Sequence, residues 1–183
     1  GGRFVFEISY FVDVFEKTLF DTIYHEHLSY HTVTPLVPFF AGHGMTLVDA
    51  ERIDTHGGSI RIVVENAGGA ANIRPSVARL VALEERLELG DPDTLRGFAA
   101  GIERVKTKLV DLLHKLAADG AVIAGYGAPA KATTLIHHFG LEPELVSFIV
   151  DDSSLKQGLY TPGNHIPVLP STALQEKKVD YVV

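Results

Sequence analysis

Ala121-Val122-Ile123-Ala124-Gly125-Tyr126-Gly127-Ala128-Pro129-Ala130-Lys131 is the stretch that decides the fold of this 183-residue chain. A short apolar strand runs into Gly-x-Gly. A helix follows from about Pro129 to Phe139, with Gly140 after it as a stop signal. In that order the helix N-terminus offers backbone N–H groups and a positive dipole end to a phosphate. Ala130 stands where the dinucleotide fingerprint has its third Gly, and Lys131 adds a cation just inside the helix, which suits a diphosphate. Leu145 to Val150 reads as a second strand ending in Asp151-Asp152, and an acid about twenty residues past the Gly turn can accept a ribose hydroxyl. Turn-rich segments, Ser153 to Gly158 and Tyr160 to Pro167, close on a strand at Val168. Nucleotide or nucleotide-sugar binding is the functional reading; a fold element without a ligand is the plain one.

Upstream lie two helices. Ser76 to about Leu89 is amphipathic, with Val77, Leu80, Val81, Leu83 and Leu87 on one side. Gly90-Asp91-Pro92 ends it, and Asp93 or Thr94 is expected to cap the next. That next helix carries Leu95, Phe98, Ile102, Val105, Leu109, Leu112 and Leu116 in steps of three and four, and Gly120 stops it. Its expected length is about 35 Å at ~1.5 Å per residue. Core packing is the expected use of the stripe, and a dimer seam is the alternative.

Further upstream, Ala67 to Ile73 is small and polar and reads as a linker. Met45 to Ile53 and Ser59 to Asn66 read as an antiparallel pair joined by the His56-Gly57-Gly58 turn, with Ile60, Ile62 and Val64 facing inward. His56 is either a loop residue or a ligand contact, since paired Gly lets backbone approach a substrate. Thr34-Pro35 reads as a cap and first residue of a helix to about Ala41. Ser9 to Lys17 is apolar and aromatic, and periodicity alone does not choose between strand and helix. Arg3 to Ile8 reads as a strand.

Between them sits Phe20-Asp21-Thr22-Ile23-Tyr24-His25-Glu26-His27-Leu28-Ser29-Tyr30-His31, the densest proton-transfer chemistry in the chain. Imidazole titrates near neutral pH, so a placed His is the commonest general base. A neighbouring Glu can orient it, and a Tyr hydroxyl can donate to an oxyanion. A polar helix start with satisfied His is the plain reading. Were the second half helical, His27 and His31 would share a face at metal-ligand spacing, but no full ligand set is visible.

Hydrophobic residues make up 46% and charged ones 21%, which suits a packed core rather than disorder. The net charge of −7 and scattered Lys and Arg argue against nucleic acid or a membrane surface as partner. There is no Cys, so disulfides and thiolate zinc sites are excluded within these residues. No apolar run approaches the ~20 residues of a membrane span, and a cytoplasmic location is expected. The first residues read as a core strand without an initiating Met, and the last stop inside another. A fragment of a longer chain is expected.

Four ordered motifs carry a resemblance over almost the whole chain. They are Phe20-Asp21-x-Ile23-Tyr24-x-Glu26-His27, Thr55-His56-Gly57-Gly58-Ser59-x-Arg61, Gly125-Tyr126-Gly127-Ala128-x-Ala130-Lys131, and Asp151 with Lys156-Gln157-Gly158 and Pro162-Gly163. They resemble the SAM-dependent sugar C-methyltransferases, which methylate a carbon of nucleotide-linked keto-deoxysugars. The resemblance implies an α/β fold: the end of a class I methyltransferase-like sheet over residues 1–66, a linker over 67–75, and over 76–183 helices followed by a Rossmann-like parallel-sheet domain. It implies Tyr24, Glu26 and His27 as catalytic, with His27 the base, and it gives His25 no role. It implies His56, Gly57, Gly125, Gly127, Lys131, Asp151 and Lys156 at the substrate, and no metal here. S-adenosylmethionine would be held mainly by a missing upstream part, and zinc only by a missing N-terminal domain. The expected partner is a nucleotide-linked sugar, a dTDP-sugar first, with monomer slightly favoured over oligomer. An NAD- or nucleotide-sugar-binding domain without methyltransferase activity is the competing reading.

Overall fold

The computed structural model describes residues 2–68 and 72–183. The expected linker over 67–75 therefore falls partly outside the described residues, as does Gly1. The chain forms two compact units, residues 1–20 with 27–101, and residues 21–26 with 102–183.

The first unit is built on a three-stranded antiparallel sheet. It contains β1 (Arg3–Ser9), β2 (Met45–Ile53) and β3 (Ser59–Asn66), with β3 in the middle. β2 and β3 have the bounds that their alternation sets, because Ile60, Ile62 and Val64 point to one face and are buried there. A bulge falls between Leu47 and Asp49 on β2. Helices α1 (Phe11–Lys17), α2 (Val33–Gly42) and α3 (Pro75–Arg86) complete the unit. Tyr10, Val12, Val33, Leu36 and Phe40 join the sheet in one core, with Val77 of α3 against it.

Three expectations need correction here. The helix expected from Pro35 begins at Val33, so Thr34 is not its cap. The Glu84 carboxylate of α3 accepts the Val33 and Thr34 N–H groups, each at 2.7 Å, and Pro35 has no N–H to satisfy. A partner fifty residues away thus caps the helix. Residues 27–31 are not helical, so His27 and His31 do not share a helix face. His31 is drawn into an extended bridge with Tyr10, and its carbonyl accepts the Phe11 N–H at 3.0 Å. The long helix, α4 (Pro92–Ala118), starts at Pro92, and Asp91 caps it by accepting the Asp93 N–H at 2.9 Å. Its 27 residues make it about 40 Å long. Of the apolar stripe Ile102 is buried, whereas Val105 and Leu112 are about half exposed; Leu113, off the stripe, is buried instead.

The second unit holds a four-stranded sheet of β4 (Ile123–Tyr126), β5 (Phe148–Val150), β6 (Val168–Leu169) and β7 (Tyr181–Val182). The order is β6-β5-β4-β7 and every neighbouring pair is parallel. In chain order within the sheet that is third, second, first, fourth. Helix α5 (Ala130–Phe139) crosses from β4 to β5, and Gly140 closes it in a left-handed conformation. The short α6 (Ala173–Glu176) leads to β7. β5 is shorter than expected, because Leu145 and Val146 donate back to the Glu142 carbonyl and form a turn. Among the described residues no helix is long and apolar enough to cross a membrane.

Candidate functional site

In the second unit the turn between β4 and α5 gathers five of the expected site residues. Gly127 takes φ +89°, a conformation that L side chains rarely adopt, and lets the chain leave β4 and enter α5. Gly125 serves packing: a Cβ there would stand 2.9 Å from Ile149 Cγ1. Gly125, Gly127 and Lys131 line a cleft of about 280 Å³, together with Tyr126, Pro129 and Asp21. Among the described residues Lys131 makes no ion pair, which leaves its ammonium for a bound anion.

Asp151 and Lys156 meet behind this turn. Lys156 Nζ lies 3.0 Å from Asp151 Oδ2, and the same oxygen accepts the Ala128 N–H at 2.8 Å. Asp151 Oδ1 accepts the Ser153 N–H at 2.8 Å. The Ala128 and Ser153 N–H groups, and then Lys156, hold this carboxyl at about 2, below its ordinary 3.8. Asp151 is therefore a brace, charged at neutral pH, that fixes the Gly turn against the end of β5.

The neighbouring acid, Asp152, is the one left exposed. It accepts the Tyr126 hydroxyl at 3.0 Å, and the Ser171 hydroxyl donates to its other oxygen. That acceptor raises the Tyr126 phenol above its ordinary value. Asp152 was visible in the sequence as half of an acid pair. Ser171 has no sequence signal, since it arrives from the loop after β6.

Tyr24 and Glu26 also belong to this unit, and the Tyr24 hydroxyl donates to Glu26 Oε2 at 3.0 Å. The Tyr24 ring meets His25 edge-on at 5.6 Å between centroids.

In the first unit His27 Nδ1 lies 3.3 Å from the Ser9 hydroxyl, at the end of β1. His56 sits at φ +50° at the tip of the β2–β3 turn. Gly57 accepts Lys17 Nζ at its carbonyl, 2.7 Å away. Gly58 is required by packing: a Cβ there would stand 2.2 Å from Asp13, and φ is +144°. Asp13 is buried and paired with Arg52 at 2.7 Å and Lys17 at 3.1 Å. Beneath the turn, Thr55 donates to Glu7 at 2.8 Å and holds that carboxyl below the usual range, with Arg61 and His56 adding to the effect. Among the described residues no group of three or more His, Cys, Asp or Glu could hold a metal ion.

An α/β chain with a separate antiparallel sheet, a braced Gly turn and a His-bearing loop finds its relatives among C-methyltransferases. Residues 54–183 match the family described as the C-methyltransferase C-terminal domain, and the chain belongs to that family. It is 38% identical over 167 residues to the C-methyltransferase NovU of Streptomyces niveus, which covers 91% of this chain and 40% of NovU. The chain thus spans well under half the length of that relative.

Proposed function

We propose that this chain is the C-terminal portion of a SAM-dependent C-methyltransferase acting on a nucleotide-linked keto-deoxysugar. The observation that carries this reading is the β4–Gly turn–α5 crossing, with Lys131 unpaired over a cleft and Asp151 bracing the turn from behind. The strand order third-second-first-fourth supports a Rossmann-like domain, whose ligands bind at the carboxyl ends of the strands. The antiparallel sheet would then end a class I methyltransferase domain. Lys131 would face the diphosphate, and Asp152 with Tyr126 would lie towards the sugar-hydroxyl side of the nucleotide. Asp151 and Lys156 would act by holding the turn, and His56 and Gly57 would contact substrate from the β2–β3 turn.

S-adenosylmethionine supplies an electrophilic methyl group when bound, and the residues expected to hold it lie outside this chain. The described residues offer no second strand–Gly turn–helix for it, so no step is routed through it here. What this chain supplies is the base and the hydrogen-bond donor that turn a substrate carbon into the nucleophile. A proton on the carbon beside the ketone passes to a ring nitrogen of His27. The C–H electron pair moves into the enolate, and Tyr24 donates a hydrogen bond to its oxygen. Before substrate binds, Glu26 Oε2 accepts the one proton of the Tyr24 hydroxyl at 3.0 Å, and the hydroxyl turns that proton to the enolate oxygen as the enolate forms.

The test is His27→Ala in the full-length enzyme, assayed by mass spectrometry for a methyl group added to nucleotide-linked keto-deoxysugars. Turnover should fall by about 10²–10⁴-fold, the usual contribution of a general base, with the fold retained by circular dichroism. Near-normal turnover would remove His27 from the mechanism. A second reading, a dinucleotide site without methyl transfer, is favoured by the acid at the end of β5 and opposed by Ala130 in place of the third Gly.

A further inference from the structure

Glu84 is nearly fully buried, has no ion-pair partner among the described residues, and accepts four hydrogen bonds. They come from the Tyr10 hydroxyl at 2.7 Å, the Val33 and Thr34 N–H groups, and the Thr34 hydroxyl. A buried carboxylate without a cation is costly unless its oxygens are fully used, and here two donors are N–H groups at a helix N-terminus, where negative charge is favoured. Burial, and then this hydrogen bond, push the Tyr10 phenol upward, so Tyr10 stays a donor.

The donors come from the two ends of one chain segment. Tyr10 precedes α1; Val33 and Thr34 open α2; between them runs the stretch with the Tyr-x-Glu-His motif. The Tyr10 side is tied to the far end by the Tyr10–His31 bridge and the Phe11 N–H on the His31 carbonyl. Ser9, next to Tyr10, meets His27 Nδ1. A single carboxylate on α3 therefore draws together the residues before and after His27.

We propose that Glu84 is a positioning residue that sets the ring of His27 through Tyr10 and the start of α2. Its catalytic consequence rests on the role given to His27 above. Tyr10→Phe keeps the buried ring and removes one of the four donors. Glu84→Gln keeps the size but turns an amide NH₂ towards donors, so one backbone N–H loses its acceptor.

Both variants are made in the full-length enzyme. Steady-state kinetics are measured together with the ring ¹⁵N signals of His27, with exposed His114 on α4 as the internal reference. A misplacement of the order of 1 Å costs about 10²-fold. Glu84→Gln should lower kcat by about that factor and Tyr10→Phe by about tenfold. KM for S-adenosylmethionine should be unchanged, and the His27 signals should move while those of His114 stay. Variants within twofold of wild type in kcat with unmoved His27 signals would overturn the proposal. So would a loss of kcat matched by a loss of folded protein, which marks an ordinary cap. If the wild-type enzyme transfers no methyl group, the functional reading fails. The His27 signals still decide the clamp: movement supports it, and their constancy overturns it.

Discussion

Replacing Gly58 by Ala should be among the most damaging single-methyl changes in the first unit. The added Cβ would sit 2.2 Å from Asp13 Cβ and Cγ, and 2.6 Å from Oδ2. Real Cβ atoms do not approach other atoms so closely, so Asp13 must move. Asp13 is nearly fully buried and holds Arg52 and Lys17, and Arg52 also holds Glu16 at 2.9 Å. Overpacking of this kind costs about 1–3 kcal/mol. A side chain forced to φ +144° adds about 1–3 kcal/mol. Together they cost about 2–6 kcal/mol, at least about thirtyfold in the folding equilibrium. Two other glycines calibrate it. Gly57→Ala meets only the flexible end of Leu19, at 2.9 Å with φ +92°, and Gly120→Ala meets nothing within 4 Å at φ +85°. Their expected costs are about 2 and about 1 kcal/mol. Urea denaturation followed by far-UV circular dichroism reads all three, which suits a chain without Trp. If Gly58→Ala were as stable as Gly120→Ala, the claim that Asp13 fills the place of a side chain would be wrong. The glycine would then have to be explained by something that approaches from outside.

Three further outcomes follow from the second unit and the His loop. Asp151 has a folded value of about 2 against an ordinary 3.8, so its contribution to stability is present above about pH 4 and lost as pH falls towards 2; Asp151→Asn should flatten that part of the stability–pH curve, and an unchanged curve would refute the brace. Lys131→Ala should weaken dTDP binding about tenfold at low salt and less at high salt, with the melting temperature unchanged; equal affinities by calorimetry would move the phosphates elsewhere. His27→Ala should abolish most methyl transfer, and a variant that keeps wild-type turnover would leave the loop without a base.

Much of this was legible in the sequence because local rules decided it. β2 and β3 follow from strict alternation around Ile60, Ile62 and Val64. Helix α5 follows from a strand, a Gly turn and the Gly140 stop, and the turn residue Gly127 takes the positive φ that its place requires. What was illegible depends on distant partners. The α2 start is set by Glu84, a residue with nothing in its sequence surroundings to mark it as buried. The His27–His31 stretch is not helical, and its end at His31 is held by distant residues, Tyr10 and Phe11. The stripe on α4 was correctly periodic, yet which positions are covered is set by what lies beside it, so Leu113 is buried and Leu112 is not. At the candidate site, an acid at the end of β5 could be foreseen. That Asp151 turns inward to Ala128 and Lys156 while Asp152 faces outward could not.

The central claim, that the Gly125–Lys131 turn holds a nucleotide-linked sugar, is tested most directly by thermal denaturation of this chain with dTDP, NAD or no ligand. A ligand that binds only the folded form adds about 2.7 kcal/mol at a hundredfold excess over its dissociation constant. A raised midpoint with dTDP, reduced by about half in Lys131→Ala, is the predicted result. A raised midpoint with NAD and none with dTDP would contradict the account and make the turn a dinucleotide site.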